Sequence, residues 1–203
     1  MAKKIYQEFK KMVDSYEMIT GQDIIAVEVS AEANSVAVLD CLMEYAKEVE
    51  KGIALRFFVV QGREGITAET RQVLETYKIS NYTVLSEKEE EVYEIIRREG
   101  CTKVALSHNY NDILNSTFMT LLERKEVAEI HPKRESSNEK NLEFIRPLCT
   151  VEDAMIQTWM EEQDKTYTQE VSMFSKMACL EEKIVMPNRQ VNTQFKFNIY
   201  ERV

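Results

Sequence analysis

A short polar loop between an apolar strand and an amphipathic helix is the first place in this sequence where chemistry could occur. The strand runs from Ile24 to Val29, and the loop Ser30–Ser35 follows it with the sequence Ser-Ala-Glu-Ala-Asn-Ser. Loops of this kind often hold phosphates in α/β proteins, because backbone N–H groups and the helix dipole attract anions. This loop contains neither a glycine nor a lysine.

The carboxylate of Glu32 makes this loop a poor phosphate site. A carboxylate a few ångströms from a phosphate costs roughly 1–4 kcal/mol per charge pair, depending on the local dielectric. The same carboxylate can occupy the positive end of the helix that follows. The sequence therefore predicts that the loop is filled by its own side chain, with Ser30 and Ser35 as adequate helix N-caps.

Three further polar residues stand directly after predicted strands, and each has two interpretations. His108 is either a general acid or nucleotide contact, or a structural histidine. Asp112 either orients a metal or caps the helix that starts there. Arg146 either meets a phosphate or nucleic-acid backbone, or pairs with a neighbouring acid.

Apolar strands alternate with amphipathic helices over the first 150 residues. This alternation predicts an α/β fold with a doubly wound parallel sheet, whose ligands lie at the carboxyl ends of the strands. The segment Lys133–Asn141 is polar and is predicted to be a loop. The predicted strands are residues 24–29, 53–60, 81–85, 103–106 and 142–145, and the predicted helices start near residues 4, 35, 67, 87 and 112.

The pattern changes at Thr150, so we predict an α/β domain over residues 1–150 and a divergent C-terminal region over 151–203. Thr150 and Asp153 resemble a helix-capping pair. A second helix is predicted for Gln169–Glu182. Apolar residues alternate from Val191 to Ile199, which predicts a terminal strand that pairs with its own sheet or with a partner subunit.

Composition narrows the classes of function. The net charge is −9, which argues against non-specific nucleic-acid or anionic membrane binding. The chain has no signal pattern and no apolar run of about 20 residues, so we expect a cytoplasmic protein. The four cysteines are far apart in sequence and only two histidines are present, which signals neither zinc nor an iron–sulfur cluster.

Several motifs resemble the PP-loop ATP pyrophosphatases, and in particular their tRNA 2-thiocytidine synthetase branch. The resemblance extends in order from about Lys4 to Asp153, but it does not include the C-terminal quarter. In that family the loop reads Ser-Gly-Gly-Lys-Asp-Ser. The other similar segments are Phe9–Ile19, Val38–Asp40, Thr102–His108, Asn111–Leu114 and Ile145–Leu148.

The resemblance implies a site for ATP and a metal ion, but few of its residues are retained. Ser30, Ser35, His108 and Asp112 match family positions. Glu32 and Asn34 replace the second glycine and the aspartate of the loop, and Ala31 and Ala33 replace the first glycine and the lysine. The candidate nucleotide-binding residues are Ser30, Glu32, Asn34, Ser35, His108, Asp112 and Arg146, and no catalytic residue or metal ligand is assigned.

Family members transfer sulfur to tRNA with cysteines and an iron–sulfur cluster. The cysteine pair that precedes the fourth strand in the family is missing, and Cys101 has no partner nearby in the sequence. We therefore expect no iron–sulfur cluster and no confident cofactor, although ATP and Mg²⁺ are implied by resemblance.

Two functions follow from the resemblance and its gaps. The first is a protein without ATP pyrophosphatase and thiolation activity that acts in binding or regulation. The alternative is an active ATP-dependent tRNA-modifying enzyme with an atypical loop. The partners considered are an unidentified protein, a small ligand, tRNA by resemblance, and a second copy in a homodimer.

Overall fold

The protein is described here by a computed structural model that covers residues 1–49, 52–62, 64–86, 89–163, 168 and 172–185. Helices and strands alternate along most of this chain. They are α1 (Ala2–Ser15), β1 (Ile24–Glu28), α2 (Ala33–Glu48), β2 (Ala54–Val60), α3 (Ala68–Thr76), β3 (Thr83–Leu85), α4 (Glu89–Arg98), β4 (Lys103–Ala105), α5 (Tyr110–Arg124), β5 (Lys133–Glu135), β6 (Glu143–Ile145), α6 (Asp153–Glu162) and α7 (Met173–Glu181).

The strands form one six-stranded sheet in the order β3-β2-β1-β4-β6-β5. The first five strands of this order are mutually parallel, with Ile25 of β1 opposite Leu55 of β2 and Lys103 of β4. The sheet extends from β1 in both directions, so the strand order reverses at β1 and β4. This arrangement confirms the predicted α/β fold, and such a reversal is where α/β proteins place their ligands.

Each face of the sheet carries its own apolar core, because neighbouring residues of a buried parallel strand point to opposite faces. Ile25 and Val27 belong to one core, and Ala26 belongs to the other. Helices α1, α2, α3 and α6 contribute buried residues to the first core. Helices α4 and α7 contribute to the second, where Phe174 of α7 packs against Phe58 of β2 with ring centroids 5.7 Å apart.

The structure corrects two local predictions. The polar segment predicted as a loop contains β5, which pairs antiparallel with β6 and places Arg134 opposite Phe144. An edge strand with one solvent-facing side can be polar throughout, so its composition resembles that of a loop. The predicted cap of α6 is also wrong: Glu152 is the N-cap and makes no side-chain capping bond, while Thr150 Oγ1 lies 3.5 Å from Glu8 Oε2.

The predicted terminal strand, Val191–Ile199, lies outside the described residues. The predicted boundary at residue 150 remains a prediction. Residues on both sides of it share the two cores, since Trp159 of α6 lies in the first and Met177 of α7 in the second. Within the part of the chain that the structure describes, no helix combines the length and the apolar composition that crossing a membrane requires.

Candidate functional site

The loop between β1 and α2 is closed by the side chain of Glu32. Glu32 is the N-cap of α2 and is completely buried. Its Oε1 accepts a hydrogen bond from Asn34 N at 2.9 Å, and its Oε2 accepts from Ser35 N at 2.9 Å and from Ser35 Oγ at 2.7 Å. The prediction that the loop is filled from within is confirmed.

The remaining loop residues support this arrangement. Ser30 is half-buried, and its Oγ accepts a hydrogen bond of 3.4 Å from Glu32 N. Neither predicted serine cap caps α2, because the longer Glu32 side chain reaches two free N–H groups at once. Thr168, from the segment after α6, donates its N–H to Ala31 O at 2.8 Å and so covers the loop.

A second helix N-terminus, that of α5, lies beside the loop. Asn109 is the N-cap of α5, and it forms a reciprocal capping box with Asp112. Asp112 Oδ2 also accepts a hydrogen bond from Asn34 Nδ2 at 2.9 Å. The structure therefore joins two of the predicted site residues from different strand ends. Asp112 takes part in capping, but as the third residue of α5, and the N-cap is Asn109.

Arg146 lies completely buried at the end of β6. Its Nη2 pairs with Glu182, its Nη1 donates to His131 O at 2.8 Å, and its Nε donates to His108 Nδ1 at 3.2 Å. These contacts show the ion pair that one of the two interpretations of Arg146 predicts, and they engage all three guanidinium nitrogens.

His108 is buried between Arg146 and helix α7. Because Nδ1 accepts from Arg146, the neutral ring carries its proton on Nε2, which lies 3.6 Å from Cys179 Sγ. The space between His108, Arg146 and Cys179 does not admit a water molecule. In this structure His108 has the geometry of a structural histidine.

Helix α7 covers the carboxyl ends of three neighbouring strands. At the last residue of β1, the Glu28 carboxylate accepts hydrogen bonds from Met173 N at 2.9 Å, from Phe174 N at 2.8 Å and from Ser172 Oγ at 2.8 Å. After β4, Ser107 Oγ lies 3.2 Å from Ser175 Oγ. After β6, Arg146 pairs with Glu182, the C-cap of α7. The crevice where this fold class binds ligands is thus occupied by the chain itself.

Glu28 and Ser172 are site residues that the sequence analysis did not single out. Burial raises the pKa of Glu28, while its hydrogen bonds from Phe174, Met173 and Ser172 act in the opposite direction. The feature of the sequence that could have revealed Glu28 is that it is a single acidic residue within an otherwise apolar strand. Its partner is about 145 residues away, so spacing alone could not reveal the pair.

All four cysteines are buried free thiols. Burial raises the pKa of Cys149 to about 11 and those of Cys101 and Cys179 to about 12. Burial also raises the pKa of Cys41. Thiols of this kind are poor nucleophiles and poor metal ligands at neutral pH.

The sheet order, the crevice and the strand–loop–helix element together define a doubly wound α/β protein. A comparison with protein-family models finds no match. Curated relatives do match: the chain is 30% identical over 107 residues to a tRNA-cytidine(32) 2-sulfurtransferase of Legionella pneumophila (strain Corby), covering 49% of this chain and 38% of the relative.

A relative of the same name from Paracoccus denitrificans (strain Pd 1222) is 28% identical over 178 residues, covering 76% of this chain and 60% of the relative. The chain therefore spans about two fifths to three fifths of these relatives. Among solved structures, the U34-tRNA thiolase NcsA from Methanococcus maripaludis superposes with a TM-score of 0.64 at 16% identity, covering 89% of this chain and 71% of that one. The chain is thus similar in sequence to tRNA-cytidine(32) 2-sulfurtransferases and shares the fold of the thiolase.

The expectation that no iron–sulfur cluster accompanies this protein is contradicted, because the superposed thiolase holds a 4Fe–4S cluster. The expectation rested on the missing cysteine pair, which says nothing about residues contributed from elsewhere in space. Within the described ranges, however, no three His, Cys, Asp or Glu side chains are grouped as a metal site requires. The described cysteines do not fit such a cluster, since each is buried and carries a raised pKa.

The predicted site residues form two hydrogen-bonded groups. The loop residues Ser30, Glu32 and Ser35 are linked through Asn34 to Asp112. His108 and Arg146 are linked to each other on the neighbouring strands. The role of these residues in binding a nucleotide remains a prediction, and in this structure each is engaged by another part of the chain.

Proposed function

We propose that this protein is a PP-loop relative that has lost ATP pyrophosphatase and tRNA thiolation activity and acts as a binding or regulatory protein. One observation carries the proposal: the buried Glu32 carboxylate occupies the backbone N–H groups at the start of α2. A phosphate that bound there would have to displace this carboxylate or lie against its negative charge.

The covered crevice supports the same proposal. A ligand entering at the carboxyl ends of β1, β4 and β6 would have to break the Glu28, Ser107 and Arg146 contacts with α7 and its flanking residues. Such contacts are buried, and breaking them leaves unpaired polar groups that cost more than surface hydrogen bonds. The site is therefore closed by two independent parts of the chain.

We place the partner of this protein among proteins rather than nucleic acids. The net charge of −9 opposes binding to a polyanion, and the buried guanidinium of Arg146 is already neutralised by Glu182. The names of the curated relatives support tRNA as the competing partner. A cytoplasmic location is part of the proposal, and the four free thiols support it.

The competing function is an active ATP-dependent tRNA-modifying enzyme with an atypical loop, which the relatives' names favour. Magnesium-dependent release of pyrophosphate from ATP, with and without total tRNA, distinguishes the two functions. We expect no release above the rate without protein. Release that requires magnesium and tRNA, and that is lost with Asp112→Asn, would contradict the proposal.

A further inference from the structure

The carboxyl end of α7 is held by the turn between β5 and β6. Glu181, the last residue of α7, accepts hydrogen bonds from Ser137 N, from Ser137 Oγ at 2.9 Å and from Ser136 Oγ at 3.0 Å. The hydroxyl of Tyr93, on α4, donates to the same carboxylate at 2.6 Å. This end of the helix is therefore fixed by N–H and O–H donors that other elements supply.

The charges at this end make α7 dependent on its partners. Glu181 and Glu182 are consecutive acids at the carboxyl end of the helix, where the helix dipole already places negative charge. Glu182 is offset by Arg146 and by Arg134, whose Nη1 lies 3.3 Å from Glu182 Oε1. Negative charge added beside Glu181, or removal of Arg134 from Glu182, would therefore loosen the end of α7.

Ser137 is placed where one modification would produce both changes. It is exposed, and it follows β5, a three-residue strand at the edge of the sheet. Arg134 Nη2 donates to Ser137 Oγ at 3.4 Å, so this arginine reaches Ser137 and Glu182 with different nitrogens. A phosphate on Ser137 Oγ would draw Arg134 into a charge-assisted pair. It would also place about two negative charges beside Glu181 and remove the hydroxyl proton that Glu181 accepts.

The sequence around Ser137 fits recognition by a serine kinase. Ser137 is the only serine or threonine in the chain that has an arginine three residues before it, and Lys133 stands four residues before it. Basic residues at a fixed distance from a serine form a charge pattern that an acidic kinase surface can select. The same arginine that marks the serine for the kinase would then bind the phosphate.

We propose that Ser137 is a phosphorylation site, and that its phosphate releases the carboxyl end of α7 and uncovers the crevice at the end of β6. The co-reactants are ATP and a serine kinase that reads basic residues before the serine. Ser137 Oγ forms a bond to the γ-phosphorus of ATP, the bond from that phosphorus to the bridging oxygen breaks, ADP leaves with the electron pair, and the hydroxyl proton passes to a base of the kinase. This switch requires only that α7 covers the crevice, so it is independent of whether nucleotide binding has been lost.

Phosphorylation of the folded full chain tests the site. The probe is the purified catalytic subunit of a kinase that requires arginine three residues before the serine, with ATP and Mg²⁺, and mass spectrometry locates the phosphate. We expect close to one phosphate per chain at Ser137, and at least a tenfold slower incorporation in Ser137→Ala and in Arg134→Ala. No phosphate at Ser137, or incorporation there only after unfolding in urea, would overturn the proposal.

Hydrogen exchange of the phosphorylated protein tests the release of α7. We expect the amides of residues 178–182 to exchange at least tenfold faster than in the unmodified protein, while those of α3 stay within about twofold. Ser137→Asp, which adds a single charge, should give an increase of about threefold. Ser80→Asp, at an exposed serine outside the turn, is the matched control and should give none. Unchanged exchange of α7 in a chain that carries the phosphate at Ser137 would overturn the proposal.

Discussion

At the scale of single residues, carboxylates belonging to the chain occupy the helix N-termini that face the crevice. Glu32 lies at the start of α2, Asp112 accepts from Asn109 N at the start of α5, and Glu28 lies at the start of α7. A side chain in such a position stabilises its helix by about 0.5–2 kcal/mol. The same positive helix ends are what a phosphate would use, so stabilisation of the fold and anion binding compete for the same groups.

Two arginines pair with the same carboxylate, so removing each in turn tests how burial changes the contribution of an ion pair to stability. Both Arg146 and Arg134 contact Glu182, but Arg146 is completely buried whereas the Arg134 side chain is 29% exposed. We predict that Arg146→Ala lowers the free energy of unfolding by about 3–5 kcal/mol, because it leaves the buried Glu182 with only the partly exposed Arg134 and removes the donor to His108 and His131 O. Arg134→Ala should cost at most about 1 kcal/mol.

Urea denaturation of the two variants at pH 7 measures both values. Equal losses of unfolding free energy in Arg146→Ala and Arg134→Ala would contradict the claim that Arg146 forms the central ion pair between the sheet and the end of α7. A variant Arg146→Lys should recover little of the loss, because a lysine cannot reach His108, His131 and Glu182 together.

At the scale of elements, α7 is held to the sheet by the buried Glu28 carboxylate. Burial raises the pKa of Glu28 above its ordinary value of about 4.5, so the folded state holds the proton more tightly than the unfolded state does. The resulting stability is fully present below the unfolded pKa and is lost as the pH rises through the folded pKa.

We predict a pH-dependent difference between the wild type and Glu28→Gln, which cannot titrate. As the pH rises from about 4.5 through the raised folded pKa, the wild type should lose stability relative to the variant, and the difference should then level off. Urea denaturation at several pH values between 4.5 and 8 measures this difference. Glu44→Gln, an exposed change on α2, is the control. A wild type that gains stability relative to Glu28→Gln as the pH rises would contradict the prediction.

Much of the element order could be predicted from the sequence, because apolar strands and amphipathic helices have distinct periods. The filled loop was predictable too, since Glu32 stands where an anion would bind. The role of α7 was not, because its contacts with Glu28, Ser107 and Arg146 join residues far apart in the sequence. The edge strand β5 was missed because a solvent-facing strand lacks the apolar pattern.

Helix α5 shows a related limit of the apolar pattern. The sequence marks Leu114, Phe118, Leu121 and Leu122 as the apolar positions of a helix, but these side chains are exposed in the structure. Their spacing predicts the helix correctly. Spacing does not say whether the apolar side faces the chain's own core or another surface.

At the scale of the whole molecule, the buried thiols report on the integrity of both cores. Cys41 and Cys149 belong to one core and Cys101 to the other. With a pKa near 11, Cys149 has a thiolate fraction about a hundredfold lower than a free cysteine at neutral pH.

We predict that native protein at pH 7.5 reacts with an aromatic disulfide reagent at least a hundredfold more slowly than free cysteine. In 6 M guanidinium chloride all four cysteines should react at once, because burial alone suppresses their reactivity. Absorbance of the released thiolate measures both rates. A single fast cysteine in the native state would contradict the buried positions described here.

The central claim is that the loop and crevice are closed to nucleotides by the chain's own residues. Calorimetric titration of the purified protein with ATP and Mg²⁺ tests this claim most directly. We predict no binding heat at millimolar ATP for the wild type. A matched variant, Glu32→Gly with Ala33→Lys, removes the carboxylate and restores the family lysine, and it should gain affinity only if the rest of the crevice can open. Binding of ATP by the wild type in the micromolar range would contradict the claim.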